Sequence, residues 1–307
     1  MRELTKRSRP AQTRYSLVTA VVASCAPLSL VELRVLRHAL MVLVAIGLSD
    51  DIHAQVAARE TLQLTATLPS PWGSPLTPAY ANGSTLHLAP KVFNGPGPLQ
   101  CVGGTYQFLR SPPEGLFEGN LPAPANRSAA ALGLPDNIVT QRVSCANGGF
   151  DLHRAADGRA WIGLDNAVLK FQSSGMTSSP EAIVQSLLIQ HFASGMALSA
   201  DSIAGQRQWL SAGLSQQFEK WFERIAKSDE VPELNGDPFT DSQEAPERFE
   251  LAPSRVRGER ADVVVSFSRE HAKSYPVTFS LVRVNGDWRI DELLYRDGTR
   301  LTTLLSK

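Results

Sequence analysis

The stretch VNGDWRIDELLYRDGTRL, residues 284–301, decides how this chain is read. Asn285-Gly286 is the strongest short hairpin signal, because a two-residue type I′ turn needs positive φ at both central positions and these residues accept it. Before the turn, Val277, Phe279 and Leu281 alternate with Thr278, Ser280 and Val282; after it, Trp288 and Ile290 point to one face. Upstream, Ala261, Val263, Val265 and Phe267 alternate with Asp262, Val264 and Ser266 at the same period of two. Gly258, placed for a turn, sits just before that run. Successive strands joined by short turns read as an antiparallel meander.

Two helices precede the meander. Ser179 is placed as an N-cap, with Pro180 in the first helical position and Glu181 near the positive end of the helix dipole. Ile183, Val184, Leu187, Leu188, His191, Phe192 and Gly195 then follow the spacing of one buried helical face. A second helical region holds Leu210, Leu214, Phe218, Trp221, Phe222 and Ile225, with Gly213 as an interruption. The polar segment Gln172–Ser179 marks a boundary ahead of both.

Residues 60–172 have a different texture, with turn formers between short alternating segments. Thr61–Leu68, Ser84–Leu88, Gly104–Leu109, Val139–Ser144 and Phe150–His153 read as strands, and Ala160–Phe171 as a hairpin turning at Asp165-Asn166. That spacing suggests a small barrel or sandwich. The expected organisation of the 307 residues is therefore α+β. A leader region covers 1–54. A β-rich, all-β domain covers 55–172, and a helix-plus-curved-antiparallel-sheet cone covers 173–307.

The leader sets the compartment. Ala39–Leu48 is an apolar run preceded by Arg34 and Arg37 and followed by small Ala54. Ten residues reach about half the thickness of a bilayer, so the run fits the core of a cleaved export signal better than a membrane helix. Upstream, Val22-Ala23-Ser24-Cys25 resembles a lipobox, which would anchor the protein through an acylated Cys25. Both readings stay open at this stage: a periplasmic or secreted protein starting near Gln55, or a lipid-anchored one. Residues 1–54 carry seven Lys/Arg and four Asp/Glu, which leaves 23 basic against 26 acidic residues, a net −3. No basic stripe suited to phosphate backbones is visible, which argues against nucleic acid. Cys101 and Cys145 form an even pair in an exported chain and are expected to make a disulfide. Neither has the neighbouring Cys or His that a metal would want.

Several short motifs then fall into one pattern. They are Ser179-Pro180-Glu181-Ala182, Asp237-Pro238-Phe239-Thr240, Arg255-Val256-Arg257-Gly258-Glu259-Arg260-Ala261, Asn285-Gly286-Asp287-Trp288-Arg289-Ile290-Asp291 and Tyr295-Arg296-Asp297-Gly298-Thr299-Arg300-Leu301. With them, residues 178–305 resemble the nuclear transport factor 2-like superfamily, and within it a bacterial exported family known as domain of unknown function 3828. The resemblance implies helices packed into a strongly curved sheet that forms a cone. It implies little about activity, since the motifs are turn and core residues.

Candidate chemistry is sparse. His191 on the apolar helix face, with Trp209, Trp221 and Trp288, is the set that would line a pocket in the cone; the competing reading of all four is core packing. Asp237, Asp241 and Glu244 cluster in a loop without the glycine placement of a calcium loop. Asp287, Asp291 and Glu292 surround the last hairpin. No nucleophile elbow, zinc-protease helix, P-loop or dinucleotide fingerprint occurs, so no catalytic residue, metal or cofactor is assigned. The expectation is an exported binding protein of inhibitor or immunity type, taking a periplasmic protein or envelope ligand. The alternatives are an enzyme using the cone pocket with His191 as base, and a structural envelope module.

Overall fold

The computed structural model describes residues 57–73, 80–146, 148–176, 178–228, 232–234 and 236–307. The expected leader, with Cys25 and the 39–48 run, lies outside these residues. The described chain is α+β, helices combined with a large antiparallel sheet.

The first part of the sheet closes on itself. Its strands are β1 (Glu60–Pro69), β2 (Thr85–Ala89), β3 (Lys91–Asn94), β4 (Gln100–Ser111), β5 (Ile138–Cys145), β6 (Gly148–Arg154), β7 (Arg159–Leu164) and β8 (Ala167–Met176). Each pairs antiparallel with the next, and β8 returns to β1. An eight-stranded ring is just wide enough for side chains to fill it. The inward residues do so: Leu62, Leu86, Phe93, Tyr106, Val143, Leu152 and Phe171 are fully buried. The 112–137 connection carries a 3-10 segment (Pro113–Gly119) and helix α1 (Ala125–Ala131). It packs Leu116, Phe117, Ala129 and Leu132 on the outward-facing Trp161 and Val168. Trp161 donates its indole N–H to the Leu132 carbonyl at 3.2 Å.

The disulfide joins Cys101 on β4 to Cys145 on β5, with Cα atoms 5.8 Å apart. Glycines make this possible. Gly103 takes φ +76° at the register shift between β3 and β4, and a Cβ on Gly104 would meet the Cys101 sulfur at 2.9 Å.

The second part begins with α2 (Pro180–Ala193), α3 (Ala200–Gln206) and α4 (Ala212–Ile225). The Ser179 hydroxyl accepts the Ala182 N–H, as its N-cap position requires. The expectation of a single apolar face on α2 needs revision. Val184, Gln185, Leu187, Leu188, Ile189, His191 and Phe192 are all buried, so the helix is covered nearly all round. The reason is its position: it packs on β11 and β13 on one side and on β5 on the other. Gly213 does not interrupt a long helix; the break falls earlier, between α3 and α4, and Gly213 sits in the first turn of α4.

The remaining strands are β9 (Arg248–Leu251), β10 (Arg255–Arg257), β11 (Arg260–Ser268), β12 (Tyr275–Val284) and β13 (Asp287–Leu294), followed by α5 (Leu301–Ser306). The β12–β13 hairpin turns at Asn285 (φ 52°) and Gly286 (φ 90°), as the sequence predicts. β9 pairs with β11 and also with β4, placing Phe249 opposite Phe108. The two rings stack at 4.7 Å. The segment expected to be a linker is strand as far as Met176, because β8 keeps pairing with β1 through Gln172 and Ser173.

Candidate functional site

His191 stands near the C-terminal end of α2, where Phe192 and Leu188 anchor the helix in the core. It is 1% exposed, and both ring nitrogens are engaged. Nε2 meets an Asp237 carboxylate oxygen, and Nδ1 lies 3.1 Å from the side-chain nitrogen of Gln206 on α3. With the Gln206 amide nitrogen as donor, Nδ1 accepts and Nε2 carries the proton toward Asp237. The other Asp237 oxygen accepts the backbone N–H groups of Phe239 (2.8 Å) and Thr240 (2.9 Å), folding the loop into a tight turn. Phe239 then packs edge-on against the imidazole with centroids 5.0 Å apart. The Asp237-Pro238-Phe239-Thr240 motif is thus the piece that docks the loop onto α2.

The three tryptophans join the same core without forming an open pocket around His191. Trp221 on α4 and Trp288 on β13 are buried, and Trp209, half-buried, packs against the cluster. The Arg283 guanidinium lies 4.5 Å from the Trp288 ring centroid. Phe192, Phe218, Phe249, Phe267 and Phe279 fill the space between helices and sheet.

Asp237 also lines a cleft of about 560 Å³. Asp241, Glu244, Tyr275, Tyr295 and Arg296 line it too. Burial raises the Asp241 carboxyl above its ordinary value, opposed by Arg296 at 3.8 Å. Burial likewise raises the Tyr275 and Tyr295 phenols. Tyr295 donates its hydroxyl to the Pro238 carbonyl at 2.8 Å, fixing the cleft floor. Glu244 pairs with Arg269. The three acids of the loop therefore have different partners: Asp237 holds His191, Asp241 faces Arg296, and Glu244 pairs with Arg269 in the cleft lining. Among the described residues no group of His, Cys, Asp and Glu is arranged to hold a metal ion.

The acids of the last hairpin also separate. Asp287 lies 3.5 Å from Arg289, whereas Glu292 accepts the Thr302 backbone N–H and hydroxyl at the start of α5.

Sequence reasoning gave little weight to a second buried histidine. His153 on β6 is fully buried beneath Phe117, with Nε2 accepting the Phe117 N–H at 2.9 Å and Nδ1 2.9 Å from the Thr140 hydroxyl. The available signal was its strand parity, one position off the inward set, which placed it under the 112–137 connection. No protein-family model matches the chain, and no curated protein is significantly similar to it.

Proposed function

We propose that this chain is an exported, non-catalytic binding protein of the bacterial envelope. It engages a periplasmic protein or envelope ligand as an inhibitor or immunity factor would. In this reading β1–β8 serve as an N-terminal barrel module, and the helices with β9–β13 as a cone of the nuclear transport factor 2-like kind. The observation that carries the proposal is that both interiors are packed with side chains, which directs a partner to the outer surface. The Cys101–Cys145 disulfide supports an oxidising compartment, where such bonds persist. Among the described residues no helix is long and apolar enough to cross a membrane.

The test is capture from envelope extract with the purified, disulfide-intact protein as bait. A specific partner, retained through washing and competed by excess free protein, is the expected result. No captured component, together with turnover in a broad small-substrate screen, overturns the proposal.

The Asp237–His191 pairing favours a second reading, an enzyme in which this dyad moves a proton at the edge of the 560 Å³ cleft. Under that reading His191→Gln, which keeps a hydrogen-bonding side chain, abolishes turnover while thermal unfolding stays cooperative. Unchanged turnover removes the dyad from the chemistry.

A further inference from the structure

A separate cleft of about 490 Å³ lies where the β10–β11 hairpin, the start of α4 and the start of α5 meet. Strand register builds its charged wall. Arg255 stands opposite Asp262, Asp262 opposite Ser280, and Ser280 opposite Glu292, a row crossing four strands. Two rows on, past Val256 and Ala261, Arg257 stands directly opposite Arg260. Residues two apart on a strand share a face, so Arg255, Arg257 and Arg260 all stand on the same side of the hairpin.

Like charges directly opposed across an antiparallel pair are destabilising. Among the described residues none of the three arginines makes an ion pair. Of the carboxylates lining the cleft, Asp262 accepts the Ser280 hydroxyl at 2.7 Å, and Glu292 accepts the Thr302 N–H at the start of α5 and lies 3.8 Å from Arg300. Asp291 lines the cleft as well, opposite a cationic side made by the three hairpin arginines and Arg300. The first turn of the 14-residue α4 contributes Gly213 and Leu214 to the same wall, adding the positive end of a helix dipole.

We infer that this cleft is an oxyanion site that takes a phosphate-class group. A carboxylate has two oxygens and matches one guanidinium fork, whereas a phosphate group offers more oxygens and charge to several forks at once. An anion of this kind would relieve the opposed Arg257–Arg260 pair, neither member of which makes an ion pair among the described residues. The inference deepens the binding reading and rests on it, but its test uses purified protein and is independent of partner capture.

The disulfide-intact protein is titrated with orthophosphate and with pyrophosphate by calorimetry, at ionic strength held constant with chloride. In parallel it is co-sedimented with phosphatidylglycerol vesicles and with phosphatidylcholine vesicles. Wild type binds a free anion or the anionic vesicles, and the double variant Arg257→Ala, Arg260→Ala loses about tenfold or more in affinity. Binding to free anion assigns the group to a soluble ligand; binding to anionic vesicles alone assigns it to a lipid headgroup. The double variant melts no lower than wild type, because a like-charge pair has been removed. Absence of binding in both arms, or equal binding by the double variant, overturns the site. So does a clear drop in melting temperature, which would make the arginines part of the fold.

Discussion

His153 shows what one buried side chain can impose. Burial pushes its imidazole down to about 4, against an ordinary value of 6.5. At neutral pH it is uncharged, with Nε2 accepting from Phe117 and the proton on Nδ1 directed at Thr140. Between these two values the unfolded chain takes up a proton and the folded one does not. This contribution to stability is therefore present above pH 6.5 and is lost as pH falls toward 4, by about 3 kcal/mol in all. Urea denaturation of wild type and His153→Gln from pH 7 to pH 4.5 checks it: the wild-type midpoint should fall more steeply. Parallel slopes would assign the acid sensitivity to other groups. His191 gives a contrasting case, with both nitrogens held. Replacing it with Phe leaves buried polar atoms of Asp237 and Gln206 without their partner, and is expected to lower stability by about 1–3 kcal/mol in the same assay. Its place on a buried face was legible from helical spacing. Its link to Asp237 was not, because a contact across 46 positions leaves no periodic trace.

At the scale of elements, period-two alternation located most strands within a few residues. It failed in informative places. β3 has four residues hemmed by Pro90 and Pro96, too few for alternation to register. The polar end of β8 looks like a linker because ladder hydrogen bonds come from the backbone and do not need apolar side chains. α2 follows an amphipathic pattern on paper but lies between two layers, a fact of tertiary packing. The disulfide is the element-level feature most open to measurement. Cys101→Ala is expected to lower stability by about 2–5 kcal/mol. Intact mass after alkylation without reductant should show both cysteines protected, and two alkylated thiols in protein isolated from its native host would refute the bond. The spacing of Cys101 and Cys145 could not show how they meet; that depends on Gly103 and Gly104 bending β4 and making room for sulfur. Arg255, Arg257 and Arg260 are plain in the sequence, and the turn at Gly258 was expected. Their shared wall with the start of α4 came only with the folded chain.

For the whole molecule, the sequence announced a β-rich first part and a helix-then-sheet second part. It could not announce that strand pairing runs from one to the other. β4 carries three partners along its 12 residues: β3 on one stretch, β5 along the other side, and β9 at Phe108–Leu109. The β4–β9 pairing joins positions about 140 residues apart, beyond the range of any local pattern. Glu250 on β9 adds a side-chain bond, accepting from Gln107 at 2.7 Å. At the end of the ring toward α2, Arg154 donates two bonds of 2.8 Å to Glu60 and a third of 2.9 Å to Gln141, while Ala58 donates its N–H to Gln185 on that helix.

Ring closure also has a bearing on synthesis. β1 finds its last partner only when β8 exists, and the terminal pair is Glu60 with Met176. Until that residue has been made, the growing polypeptide has two raw strand margins that can template pairing with a neighbour. Contacts so far apart in the chain make for slow folding. A truncated product that stops short of Met176 is therefore a candidate for inclusion bodies, and expression trials should cut after that residue and never within β8.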